Sequence, residues 1–232
     1  MKKLVVLTGA GVSAESGIST FRDMGGLWEE YDIMEVASPQ GWEKDPVLVQ
    51  KFYNDRRRQL LECEPNRAHR GLAELENYFD VEIITQNIDD LHERAGSTKI
   101  LHLHGQLLKA QSSGDPGLVY DIDGWEIKDE DRCEKGFPLR PHVVWFGEPV
   151  PAMEPAIDIT SRADIFVVIG TSLNVYPAAS LVDYAPAGIP VYLIDPADVF
   201  YKGRSQIKII KENAGRGVEI LFENLTGKKA PF

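Results

Sequence analysis

Cysteine is nearly missing: Cys63 and Cys133 are the only two in 232 residues. That is too few for a disulfide framework and fits a reducing compartment. Long apolar stretches are missing as well. The longest run, Ile165 to Ile169, is far too short to cross a bilayer, so no membrane partner is expected. The first residues, Met1-Lys2-Lys3, lead directly into a strand-like run without the apolar stretch and small-residue cleavage site of a signal peptide. A cytoplasmic location is therefore expected. Positive charge is in deficit, with 25 Lys and Arg against 36 Asp and Glu for a net −11, which argues against nucleic acid as a partner. Such a surface attracts basic protein segments or simply keeps the chain soluble. Repeats and low-complexity segments are absent. A 43% hydrophobic and 26% charged composition is that of an ordinary globular protein. Its length suits one sizeable domain, or a large domain with a small insert.

The chain is organised around Thr8 to Arg22, TGAGVSAESGISTFR. It follows Leu4-Val5-Val6-Leu7, an apolar run of the kind that forms a buried parallel strand. Gly9, Gly11 and Gly17 then stand among small residues, and a strand running into such a turn can bring backbone N–H groups against a pyrophosphate. The spacing departs from G-x-G-x-x-G, so a tight strand-to-helix connection is the competing reading. Phe21 and Arg22, an aromatic and a cation beyond the turn, are more than a connector needs. Short helical pieces are expected at 27–31 and 39–45, a longer helix over 47–62 behind Pro46, and another over Arg67 to Tyr78. Strands are expected at Val81–Thr85, Ile100–Gly105, Ala163–Gly170 and Val191–Asp195, with a helix over 90–96 and a last helix opened or preceded by Val218–Leu221. The core pattern is expected to lapse over 109–140, a turn-rich and acidic excursion, and to resume at Pro141–Gly147. Alternating strands and helices predict an α/β fold with a Rossmann-like doubly wound parallel sheet. The two insertions, about 30–65 and 109–140, are expected to form a small second lobe. The large lobe takes about 1–29, 66–108 and 141–232 within one domain.

Ligands in open α/β sheets sit at the carboxyl ends of the strands. Gln86-Asn87-Ile88-Asp89, His102-Leu103-His104-Gly105 and Gly170-Thr171-Ser172 all fall there. Amide side chains at a strand end can orient a carboxamide, or merely cap a helix. His104 is a candidate general base because an imidazole titrates near neutrality; the alternative is a structural histidine.

GAGVSAESGISTFR, TQNIDDLH, HLHG, the VVWFGE run and GTS, in order over nearly the whole chain, resemble the sirtuin family of NAD-dependent protein-lysine deacylases. The resemblance implies NAD and an acyl-lysine peptide bound between two lobes, with His104 as the general base that deprotonates a ribose hydroxyl. Nicotinamide is released and the acyl group leaves on ADP-ribose. It further implies that Gly9, Ala10, Gly11, Glu15, Gly17, Phe21, Arg22 and Trp28 lie on the phosphate and nicotinamide side of NAD. Gln86, Asn87 and Asp89 would hold ribose and carboxamide, and Gly170, Thr171, Ser172, Asp195 and Ala214 the adenosine side. Val144, Phe146 and Gly147 resemble the segment that pairs with the substrate backbone.

Tyr53 and Arg56 are three apart on the long helix and share a face. A phenol beside a guanidinium can clamp a carboxylate, and the pair, with Ala14, resembles the sirtuin subgroup preferring succinyl, malonyl or glutaryl lysine. The alternative is that Arg56-Arg57-Arg58 is a solvated basic face. Most sirtuins carry a zinc on two cysteine pairs in the excursion. Residues 105–141 hold only Cys133, with Ser112, Ser113 and Glu134 where thiols are expected, so no zinc is expected. The excursion would then hold itself by packing of Leu118, Tyr120, Trp125, Ile127 and Phe137. Asp195 stands where the family usually has Asn. ADP-ribosyl transfer or NAD hydrolysis on the same site, and a non-catalytic NAD or ADP-ribose sensor, remain as alternatives; the glycine spacing fits a dehydrogenase poorly.

Overall fold

The computed structural model describes residues 1–18, 31–171, 173, 175–197 and 207–232. The first strand, β1 (Lys3–Thr8), is apolar on both faces because both faces are covered. Alternate side chains divide between two cores: Leu4 and Val6 enter one, Val5 and Leu7 the other. Four helices follow: α1 (Ile33–Val36), α2 (Pro39–Lys44), α3 (Pro46–Glu62) and α4 (Arg67–Leu75). Asp45 caps α3 by accepting from Leu48 N–H at 2.9 Å, with Pro46 at the first turn. Asn66 caps α4 in a reciprocal box with His69. Next come β2 (Asp80–Thr85), α5 (Leu91–Arg94), β3 (Ile100–His102), β4 (Gly105–Ser112), β5 (Val119–Asp121) and β6 (Leu139–Val143). The chain continues through α6 (Met153–Ser161), β7 (Ile165–Ile169), α7 (Leu181–Tyr184), β8 (Val191–Ile194), β9 (Ile207–Ile210) and α8 (Ala214–Thr226). No helix among the described residues is long and apolar enough to cross a membrane.

Six strands make one parallel sheet in the order β3-β2-β1-β7-β8-β9. This is the α/β, Rossmann-like architecture expected from the sequence, and its winding direction reverses between β1 and β7. One face is covered by Ala68, Leu72 and Leu75 of α4 with Val218, Leu221 and Phe222 of α8. The other is covered by Ala156 of α6 with Leu181 and Val182 of α7.

Three expectations change. The run from Pro141 does not rejoin the parallel sheet, because β6 pairs antiparallel with β4 in a separate sheet ordered β5-β4-β6. Val143 and Trp145 pack against Val49, Phe52, Tyr53 and Leu60 of α3, not against either face of the large sheet. The sixth parallel strand, β9, was not expected. It is an edge strand whose Lys208 and Ile209 face solvent, so its pattern carries no burial signal. Val218–Leu221 lies in the middle of α8, whose first turn holds Gly215 and Gly217 and so reads as a loop. The helical piece expected at 27–31 lies outside the described residues except for Tyr31.

Packing alone does not hold the excursion after β4. Of its five expected core residues only Ile127 is fully buried, and Phe137 is 44% exposed. A polar clamp from α3 takes over. Asn54 donates to Ile127 O (2.9 Å) and accepts from Ile127 N–H (3.0 Å) and from Arg57. Arg57, with no exposed surface, donates to Leu107 O (2.7 Å) and Trp125 O (2.6 Å). Burial pulls its guanidinium down to about 10, which leaves it charged at neutral pH. Asn54→Ala strips partners from two buried backbone groups and from a buried cation at once. Urea denaturation should therefore show a loss of roughly 2–4 kcal/mol; a loss below about 0.5 kcal/mol, ordinary for a surface change, would remove the clamp from this account.

Candidate active site

The reversal between β1 and β7 brings two turns into contact. A Cβ on Gly9 would lie 2.7 Å from Thr171 Cβ and one on Gly11 2.7 Å from Gly170 Cα, so only glycines let the turns cross. Gly9 N–H donates to Ile169 O (3.0 Å) and Gly11 N–H to Gly170 O (2.9 Å). These two amides, expected from the sequence to face a pyrophosphate, instead tie the strand ends together. Gly17, at φ +87° and exposed, reverses the chain after two short 3-10 turns.

Polar side chains gather around this crossing. Gln86 donates to Thr171 Oγ1 (3.2 Å), joining the end of β2 to the end of β7. Asn87 Nδ2 donates to Gly9 O (3.1 Å) and to Ser13 Oγ (3.0 Å). With both its donors directed at the glycine turn, the Asn87 amide is held in one orientation. Ser13 in turn donates to Asp89 Oδ2 (2.9 Å), and Asp89 Oδ1 accepts from Leu91 N–H (3.2 Å). Burial pushes the Asp89 carboxyl up, opposed by these two hydrogen bonds. His69 stands behind Ser13 at 3.5 Å. Its Nδ1 accepts from Asn66 N–H (3.3 Å), so Nε2 carries the proton that faces the hydroxyl, and burial lowers its pKa to about 4. The sequence reading omitted Ser13 and His69. Ser13 lies inside the glycine-rich motif, and the Asn66-x-x-His69 capping pattern was the only sign of the histidine.

The two histidines at the end of β3 are shifted in opposite directions because their partners differ. His102 faces an acceptor on each side, Asn87 O (3.2 Å) at Nδ1 and Glu93 Oε1 (2.7 Å) at Nε2. Burial opposes its charge, but the Glu93 carboxylate outweighs this and raises its pKa. His104 has one, Gln86 O at 3.0 Å from Nδ1. A carbonyl only accepts, so Nδ1 holds the proton and Nε2 is left with its lone pair. Burial lowers this pKa despite the Gln86 carbonyl. The result is a neutral imidazole able to take a proton.

On α3, Tyr53 is buried and receives Trp145 Nε1–H at 3.1 Å. Burial pushes its phenol up to about 12. Arg56 lies near both Tyr53 and Asp89: burial lowers its pKa while these two groups raise it, and its guanidinium sits 5.4 Å from the Phe52 ring. With Arg57 fully buried, the three arginines are not a solvated face. Val144 N–H donates to His104 O (2.9 Å) and Phe146 N–H to Ala37 O (2.9 Å). Those amides are therefore closed to a peptide strand, while the Phe146 ring and Gly147 are exposed.

The remaining expected residues divide. Glu15 accepts Gly215 N–H at 2.6 Å and so binds the start of α8, beside buried Ala214. Asp195 is buried at the end of β8, where Oδ1 accepts from Ala197 N–H (2.9 Å). Ala10 lies between the two crossing glycines. Phe21, Arg22, Trp28 and Ser172 lie outside the described residues. Among the described residues no group of three or more His, Cys, Asp or Glu is arranged to hold a metal.

Residues 9–177 match the Sir2 family. The NAD-dependent protein deacylase of Bacteroides thetaiotaomicron is 56% identical over 230 residues, covering 97% of this chain and 98% of that protein. That of Helicobacter pylori strain J99 is 54% identical over 227 residues, 97% of this chain and 96% of the other. Among solved structures, a Sir2 homologue in complex with NAD superposes with a TM-score of 0.88 at 40% identity, over 97% of this chain and 90% of that one. The sequence motifs, the doubly wound sheet and the two relatives agree: this chain belongs to the Sir2 family.

Proposed function

We propose that the protein is an NAD-dependent protein-lysine deacylase whose preferred substrates carry succinyl, malonyl or glutaryl groups. The observation that carries the reading is the placement of a neutral, carbonyl-oriented His104 in the same hydrogen-bonded crevice as Asn87, Asp89 and Thr171. Arg56 interacts electrostatically with Asp89 of that crevice as well as with Tyr53. A crevice at the switch point of a doubly wound sheet, lined by amide and hydroxyl groups, fits a dinucleotide. Relatives bearing the name NAD-dependent protein deacylase, and a Sir2 structure holding a deacetylated peptide with an acetylated ADP-ribose, support the same chemistry.

In this reading NAD is a co-substrate and supplies the ribose that accepts the acyl group. Gln86, Asn87 and Asp89 hold its ribose and carboxamide, with Gly9, Ala10, Gly11, Gly17, Phe21, Arg22 and Trp28 on the phosphate and nicotinamide side. Thr171, Gly170, Ser172, Asp195 and Ala214 serve the adenosine side, and Glu15 acts by tethering the start of α8. His104 Nε2 removes the proton of a ribose hydroxyl, and the Nδ1 bond to Gln86 O steadies the imidazole as it gains charge. Exposed Phe146 and Gly147 flank the peptide. Tyr53 and Arg56 bind the distal carboxylate of an acidic acyl group. We further read α1 to α3 with the β5-β4-β6 sheet as a small lobe sharing one apolar cluster around Phe52, Leu107 and Trp145.

The small lobe is proposed to dispense with zinc. Its segment 105–141 carries one cysteine, and the donors around it do not fit a tetrahedral site. Despite burial, the Cys133 thiol is held low by hydrogen bonds from Ser112 and from the backbone at Lys135 and Phe137, an arrangement complete without metal. The neighbouring Glu134 bonds Tyr120 instead.

Mass spectrometry of products from NAD with matched succinyl-lysine and acetyl-lysine peptides tests the main reading. Succinyl-ADP-ribose should exceed the acetyl product. Nicotinamide release independent of peptide would favour NAD hydrolysis, and no turnover would favour a sensor. Arg56→Met should lower desuccinylation by roughly tenfold or more, the scale of a charge-assisted hydrogen bond, and deacetylation far less; equal losses would sink the carboxylate clamp. Because burial disfavours the His104 imidazolium, the base form persists to lower pH than in a free histidine. The acid limb of kcat/KM should thus fall below about 6.5, and a limb above 7 would remove His104 as the base. Elemental analysis should find zinc far below one per chain; stoichiometric zinc would refute the metal-free lobe.

A further inference from the structure

Trp145 is buried, and the proposed reaction gives it no part. Its surroundings are more specific than packing requires. The Arg140 guanidinium lies 3.4 Å from the centre of its ring. Glu148 takes two N–H groups of Arg140 (2.7 and 3.0 Å), and the same carboxylate accepts the Trp145 backbone N–H at 2.8 Å. Arg140 also donates to Val143 O at 2.8 Å. Ring plane and backbone are thereby held from two sides by one ion pair. The indole N–H so fixed points at the Tyr53 oxygen, 3.1 Å away.

A phenol has one proton and two lone pairs. Once an oxygen lone pair is occupied by Trp145, the Tyr53 O–H turns away from the indole, and among the described residues no acceptor receives it. We propose that Trp145, locked by the Arg140–Glu148 pair, is a positioning residue for acyl selectivity: it orients the Tyr53 hydroxyl so that its proton is offered to the carboxylate of an acidic acyl group beside Arg56. The inference rests on the acidic-acyl preference proposed above. It separates two roles that the Tyr-x-x-Arg spacing merges. Arg56 supplies charge, whereas Tyr53 supplies a directed donor whose direction is set from β6 and the turn after it. Burial keeps that phenol protonated through neutral pH, as a donor must be.

The test compares kcat/KM for succinyl-lysine and acetyl-lysine peptides in the wild type, Tyr53→Phe, Trp145→Phe and the double variant. Trp145→Phe keeps an aromatic ring for Arg140 and deletes only the N–H and some volume. It should lower the succinyl-to-acetyl ratio about fivefold, the worth of one net hydrogen bond, mainly through the KM for the succinyl peptide. The double variant should lose no more selectivity than Tyr53→Phe alone, because Trp145 acts through Tyr53. If Tyr53→Phe abolishes the preference while Trp145→Phe retains it, the positioning role is overturned and the acyl reading stands. A wild type without acidic preference overturns both. Should Trp145→Phe not fold, the Trp145 indole N–H resonance in nitrogen-15 tryptophan-labelled wild type decides. It should shift in Tyr53→Phe and shift more with succinyl than with acetyl peptide; a resonance indifferent to all three overturns the proposal.

Discussion

Everything in the crevice depends on two turns crossing without side chains between them. Gly9 and Gly11 follow β1, Gly170 follows β7, and their backbones are so close that a single Cβ would collide. The crossing sits where the winding of the sheet reverses, so it forms the floor of the cleft that this topology opens. From that floor hydrogen bonds run outward in unbroken order. Asn87 reaches Gly9 O, Ser13 joins Asn87 to Asp89, and Gln86 joins Thr171 on one side to His104 on the other. An added methyl group at the crossing would be felt at the imidazole several links away.

Charge in this site is decided by the partners of each group more than by its type. His102 and His104 are two residues apart, yet one faces two acceptors and has its pKa raised while the other faces a single carbonyl and has its pKa lowered. Tyr53 is kept neutral by burial although cations surround it. Arg57 is kept cationic with carbonyl and amide oxygens as its only acceptors among the described residues. The same principle holds for His104, Tyr53 and Arg57 alike: each is oriented by a fixed neighbour, a carbonyl for His104, the Trp145 indole for Tyr53, and carbonyls with the Asn54 amide for Arg57.

Much of this was legible before any coordinates. Strands buried on both faces announce themselves as continuous apolar runs, so β1, β7 and β8 could be read directly, and β2 from its Val and Ile residues. Motifs at their ends placed Asn87, Asp89, Gly170 and His104 in one cleft. Legibility failed wherever burial was partial or the partner was distant in sequence. β9 is a half-exposed edge with no periodic signal, and the glycines that let α8 approach the site disguised its first turn. The run at Pro141–Gly147 looked like a return to the core of the large sheet because apolar residues do not say which sheet they join. That Gly9 and Gly11 also let two turns cross was hidden, because the partner turn at Gly170 and Thr171 lies far along the chain. The clamp from Asn54 and Arg57 spans from Leu107 to Ile127, and no local pattern could reveal it.

That clamp has a corollary for substitution. Asn54 and Arg57 hold the excursion almost wholly by its main chain, at Leu107 O, Trp125 O and both polar groups of Ile127. Every amino acid presents the same carbonyl. At position 125, where the side chain is only partly buried, the residue can therefore change without loss of the bond to α3, whereas Asn54 and Arg57 cannot be exchanged without breaking it.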